Sequence, residues 1–206
     1  MLNNNEYLNR LYQSDKPLII YKTDKGFDVY TDFSKKFLIN KKNIKTFLNS
    51  QTKKKHSNSK SLNCYVGFFG YKLLCENIGI KLPKQKTNNF YTGLFYQPLT
   101  KVSIRKKISI QSIRPDFRNI KINKKNYELL DKKFNLNLTL QQYSKLFKNF
   151  SKNIKQGKTY QIKIAQNYSK KGTINPIELF WKLMRMNESP ESFLIRDKNF
   201  NIISCS

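Results

Sequence analysis

Thr139 stands directly before a run in which Leu140, Tyr143, Leu146, Phe147, Phe150 and Ile154 recur at helical spacing. A stripe of that period specifies an amphipathic helix, because only a 3.6-residue repeat gathers those six side chains on one face. Gln142, three residues after Thr139, completes a capping box, and Gly157 supplies a terminator. The helix is expected to be docked by its apolar face. Tyr160, Ile162 and Ile164 then alternate with Gln161, Lys163 and Ala165, the pattern of a half-buried strand. Asn175-Pro176-Ile177-Glu178 opens a further helix, with proline at its first position, ahead of Leu179, Phe180, Leu183 and Met184. A hairpin is expected from Ser192 through Asp197-Lys198-Asn199.

The earlier part of the chain reads mainly as strands. Leu18-Ile19-Ile20-Tyr21 is a short buried strand, Asp24-Lys25-Gly26 a turn, and Phe27-Asp28-Val29-Tyr30 the returning strand of a hairpin. Phe37-Leu38-Ile39 suggests another strand, and Ile44, Phe47 and Leu48 a short helix that fades into a polar run from Thr52 to Lys60. Cys64 to Leu73 is strand-like and aromatic, with Gly67 and Gly70 permitting close backbone approach or a bend. Gly93–Tyr96, Val102–Ile104 and Ile108–Ile110 fit an antiparallel meander, with Pro98 and Arg105-Lys106-Lys107 at its turns. Lys and Asn dominate from Asn119 to Asn137, which places a domain boundary there: residues 1–136 and residues 137–206. The fold class is α+β, antiparallel sheets with packed helices.

Charge bounds the partners. Forty Lys and Arg against 13 Asp and Glu give a formal charge of +27, a field that attracts polyanions non-specifically. The basic residues are mostly Lys and dispersed, whereas a sequence-reading nucleic-acid module concentrates charge and uses Arg. A basic nucleic-acid-binding module with Phe and Tyr as stacking platforms is the rival reading. Cys64, Cys75 and Cys205 form no C-x-x-C pair, so neither a disulfide framework nor a zinc site is indicated, and a reducing cytoplasm is expected. No apolar stretch reaches the roughly 18 residues of a spanning helix, so no membrane partner is expected. The single histidine, His56, lies in the Lys-rich run and reads as a spectator. The sequence offers no metal-ligating or paired-carboxylate constellation, and the 13 acidic residues are spread thinly.

Three ordered segments nevertheless carry a resemblance. Gly67-Phe68-Phe69-Gly70-Tyr71-Lys72-Leu73 resembles a Gly-Tyr-Phe-Gly-Tyr-acidic-Leu motif, with Lys72 in the acidic place. Gly157-Lys158-Thr159-Tyr160-Gln161 resembles Gly-Asp-Ile-Tyr-Gln, and Ser204-Cys205-Ser206 resembles the opening of a Ser-x-Ser-Pro-Glu turn. Together they resemble the first motifs of anthranilate synthase component I and aminodeoxychorismate synthase component I, enzymes that use chorismate. The motif residues are Gly67, Gly70, Tyr71, Gly157, Tyr160, Gln161, Ser204 and Ser206.

The resemblance implies the N-terminal portion of a two-domain chorismate-binding enzyme sandwich, with residues 137–206 beginning the chorismate-binding domain. It also implies a glutamine amidotransferase subunit as partner and Mg²⁺ in the complete enzyme. In those families the metal-binding glutamates and acid/base groups follow the Ser-Pro-Glu turn, so no catalytic residue and no metal ligand is assigned here. The closing Phe200–Ser206 reads as a strand in progress, which supports an N-terminal segment, inactive alone; a decayed or standalone regulatory subunit is a further alternative.

An effector pocket for tryptophan in the anthranilate enzymes pairs a Leu-Leu-Glu-Ser strand with an Asn-Pro-Ser-Pro-Tyr turn. Here Tyr21 and Lys22 stand in the Glu-Ser place, and Asn187, Glu188, Ser189, Pro190, Glu191 and Ser192 supply the turn. Only Asn187, Ser189 and Pro190 match, so the resemblance implies a vestigial pocket. The missing Glu-Ser pair and Tyr160-Gln161 tilt the resemblance towards the aminodeoxychorismate branch.

Overall fold

The computed structural model describes residues 4–52, 62, 64–82, 90–114, 120–122, 127–128, 133–187 and 189–205. The expected polar run from Thr52 to Lys60, with His56, lies almost wholly outside the described residues, as do Glu188 and Ser206. Two compact units form: Met1–Lys124 with Pro176–Ser206, and Lys125–Asn175. The second therefore opens within the Lys- and Asn-rich stretch.

The first unit is built on an antiparallel sheet. Its strands are β1 (Leu18–Thr23), β2 (Gly26–Leu38), β3 (Val66–Phe69), β4 (Gly93–Ile104), β5 (Ile108–Ser112), β8 (Ser192–Arg196) and β9 (Asn201–Cys205). Their order is β3-β4-β2-β1-β8-β9, with β5 also paired to β4. β1 lies between β2 and β8, so both of its edges are hydrogen-bonded. Both of its faces are covered as well. Leu18 and Ile20 enter a cluster with Tyr7, Leu11, Ile177 and Phe180, while Ile19 enters one with Val66, Leu94, Tyr96 and Ile195. A strand covered on both faces must be apolar without alternation, which is why Leu18-Ile19-Ile20 is a continuous run.

Four helices accompany the sheet: α1 (Asn4–Gln13), α2 (Ile44–Thr52), α3 (Tyr71–Asn77) and α5 (Pro176–Asn187). Tyr7, Leu8 and Leu11 of α1 and Ile177 and Phe180 of α5 cover one face of the sheet. A third cluster joins Ile39, Ile44 and Leu73, with Phe37, Phe47, Phe69 and Phe95 packed around them. The α+β class is as the sequence indicates, and so are the β1–β2 and β8–β9 hairpins.

Several local expectations are corrected. The strands expected at residues 27–30 and 37–39 are one strand, β2, bent by a register shift between Phe33 and Lys35. Asp32, at this bend, adopts φ 52°, and its buried carboxylate accepts from Lys16 at 2.9 Å and Arg114 at 3.4 Å. Pro98 is not a turn residue: it lies within β4 opposite Phe33, where the bulge tolerates a missing N–H. The strand-like 64–73 segment ends at Phe69 and becomes α3, with Gly70 at its N-cap. Helix α1 was not foreseen, although Tyr7, Leu8, Leu11 and Tyr12 have helical spacing.

The second unit contains β6 (Asn135–Leu136), α4 (Leu140–Lys155) and β7 (Tyr168–Ser169). Both capping-box bonds form, Gln142 N–H to Thr139 Oγ1 at 3.2 Å and Thr139 N–H to Gln142 Oε1 at 2.9 Å. Gly157, at φ 70°, closes the helix: its N–H donates to Ile154 O at 2.9 Å and the Lys158 N–H to Asn153 O at 3.0 Å, the two bonds of a Schellman motif. The docking expected of α4 is corrected, because the helix buries none of its residues. Leu140 is 83% exposed and Phe147 56%. The strand expected at 160–165 is corrected too. Ile162 and Ile164 are half-buried and alternate with exposed neighbours, but no ladder forms along 161–167.

In the first unit, Arg196 of β8 ties the N-terminal helix to the C-terminal hairpin. Its guanidinium donates through Nε to Lys16 O, through Nη1 to Tyr12 O and through Nη2 to Leu11 O, each at 3.1 Å. Leu11 and Tyr12 lie in the last turn of α1, so the cation meets carbonyls that lack helical partners and the negative end of the helix dipole. Replacing Arg196 with Leu takes the guanidinium from Lys16 O and Tyr12 O, while Leu11 O keeps the Ser14 hydroxyl at 2.8 Å, and is expected to cost about 2–3 kcal/mol. Urea unfolding of the two proteins measures this; a difference under about 1 kcal/mol would show that Arg196 is dispensable.

Candidate functional site

Tyr21 and Lys22, neighbours near the end of β1 that face opposite sides of the sheet, make two separate contacts, Tyr21 with Gly67 and Lys22 with Ser189 in the turn after α5. β1 and β3 are separated by β2 and β4, a span of about 14 Å in a flat sheet. Yet the Tyr21 phenol donates to the Gly67 carbonyl at 2.9 Å. The sheet is therefore curled, bringing β1 and β3 within reach of one tyrosine side chain. Burial pushes the Tyr21 phenol up from its ordinary value, and nearby Tyr30 adds to the rise. Tyr21 stays a neutral donor.

On the next residue, Lys22 Nζ donates to the main-chain carbonyl of Ser189, in the turn after α5. Ser189 and Ser192 are both buried, and the Ser192 hydroxyl has no hydrogen-bond partner among the described residues. Asn187 donates from Nδ2 to Cys205 O at 3.3 Å, pinning the end of α5 to β9. Pro190 and Glu191 are exposed. The structure thus joins Lys22 to the 187–192 turn and turns Tyr21 towards Gly67. Of the motif residues, Gly67 lies within β3 and Gly70 directly follows it, Tyr71 is 74% exposed on α3, and Ser204 pairs with Phe193. Gly157, Tyr160 and Gln161 belong to the second unit, where Tyr160 is 92% exposed.

The buried carboxylates are neutralised. Asp28 meets Arg105 at 2.8 Å and Lys101 at 3.0 Å, and accepts from Ser103 at 2.9 Å. Asp32 has Lys16 and Arg114, and Asp197 has Lys36 at 2.5 Å, with that ammonium 4.9 Å from the Tyr91 ring centre. Burial alone would raise Asp28 and Asp197, but hydrogen bonds from Lys101 and Ser103 in one case, and from Lys36 and the Lys198 N–H in the other, hold both below the usual carboxylate range. These are structural ion pairs, poorly suited to act as bases. Among the described residues no three His, Cys, Asp or Glu side chains gather as a metal site would require.

The family model for chorismate binding enzymes matches residues 8–206. The chain belongs to the chorismate-binding enzyme family. No curated protein matches it. Within this family frame the Gly67 motif has a clear physical role. A Cβ at Gly67 would stand 2.0 Å from Leu94 O and 2.7 Å from Phe95 Cα, so β4 passes too close for any side chain. No sequence pattern foretold Arg196 or the ion pairs at Asp28 and Asp197, since each links residues more than 70 apart. None of the described helices is long and apolar enough to cross a membrane.

Gly67→Ala is expected to destabilise the first unit by about 2–4 kcal/mol, because backbone rather than a flexible side chain must move. Thermal unfolding followed at Trp181 reports it, and an unchanged midpoint would contradict the close approach. The acid limb offers a second check. Asp28 and Asp197 have folded pKa values below their unfolded ones, so their contribution is complete above about pH 4 and is lost as pH falls through the folded values. Asp28→Asn/Asp197→Asn should be less stable at pH 7 yet lose less stability between about pH 4 and pH 2 than the parent. Parallel acid slopes in urea titrations would refute the assignment.

Proposed function

We propose that the chain supplies the N-terminal part of a chorismate-utilising amination enzyme, of the aminodeoxychorismate or anthranilate synthase component I type. In it, chorismate would be aminated by ammonia drawn from a glutamine amidotransferase subunit in the cytoplasm. The single observation that carries this reading is the family match over residues 8–206. Catalysis would require acid/base groups and Mg²⁺-binding glutamates from further polypeptide, because the buried carboxylates described here are consumed in ion pairs. Mg²⁺ would serve there to neutralise the substrate carboxylate and assist the leaving group.

The Lys22 contact supports the aminodeoxychorismate branch. An amino-acid effector bound between β1 and the 187–192 turn would need an acceptor for its ammonium group. Lys22 places its own ammonium there, against Ser189 O, and a second cation is disfavoured beside it. The pocket is read as vestigial and closed to tryptophan.

Residues 1–206 alone are expected to give no product from chorismate, ammonium and Mg²⁺ in an assay reading both anthranilate fluorescence and lyase-coupled aminobenzoate. Adding the polypeptide that follows the Ser-x-Ser-Pro-Glu turn in a complete family member should restore turnover. Activity of the chain alone would overturn the reading that its catalytic groups come from elsewhere.

A further inference from the structure

We draw no further inference here: the strongest candidate, the apolar surface patch that Tyr71, Leu74, Ile78 and Ile80 expose along α3 and the turn after it, carries nothing because nothing in the structure shows what covers it.

Discussion

The first unit depends on β1. Leu18, Ile19 and Ile20 are each fully buried, and burying such a side chain contributes about 1.5–3 kcal/mol. Their two faces join clusters that otherwise share no residue, so the strand acts as the common wall of the unit's two main apolar layers. Its edges take β2 on one side and β8 on the other. Arg196, opposite Leu18 in this ladder, extends the pairing to α1 by donating to the carbonyls of Leu11 and Tyr12 in its last turn and of Lys16 beyond it. Helix, strand and hairpin are thereby held by one buried cation and one apolar tripeptide.

The curl of the sheet follows from the same arrangement. Gly67 has no side chain where β4 crosses it, and Tyr21 reaches its carbonyl from β1. The bend at Asp32 contributes by inserting an irregularity into β2, the longest strand, and bulges of this kind increase local twist. The positive φ of Asp32 is uncommon for a non-glycine residue, and the ion pairs to Lys16 and Arg114 compensate for it. Membership of the chorismate-binding enzyme family agrees with this frame, in which the Gly67 and Gly70 motif belongs to packing and the Lys22 contact to a closed turn.

Local signals were legible where one physical cause acts alone. Thr139, Gln142 and Gly157 mark both ends of α4 because capping is decided within a few residues, and Pro176 and Gly26 mark a helix start and a hairpin turn for the same reason. Features set by distant residues were not legible. Whether Phe27–Tyr30 and Phe37–Ile39 are separate strands depends on how β4 pairs across the bulge, and Pro98 is tolerated in β4 only because Phe33 and the irregularity oppose it. The 64–73 segment is uniformly aromatic, and apolar content does not reveal that Gly70 turns the chain into a helix. Alternation at 160–165 fixes which side chains share a face and says nothing of whether a neighbour exists. At the candidate site, Tyr21, Lys22, Ser189 and Ser192 were named by motif position, whereas the contacts of Lys22 with Ser189 and of Arg196 with α1 span more than 160 residues and leave no local trace.

The pairing of β1 with β8 also governs the order in which this protein can fold. During synthesis the first 124 residues leave the ribosome with β1 as an edge strand, one side of its ladder open and Arg196 not yet made. Pairing Leu18 with Arg196 closes a loop of more than 170 residues, and such non-local closure is slow relative to hairpin formation. The hairpin β1–β2 and the long β2–β4 ladder can form early, but the apolar faces of Leu18 and Ile20 wait for α5 and β8. The nascent chain therefore passes through a stage with an exposed, strongly apolar edge, the kind of species that associates wrongly unless chaperones shield it. A formal charge of +27 spread along the chain sets neighbouring nascent chains to repel one another, so Lys-rich composition acts as a kinetic safeguard for a fold whose central strand is made early and completed last.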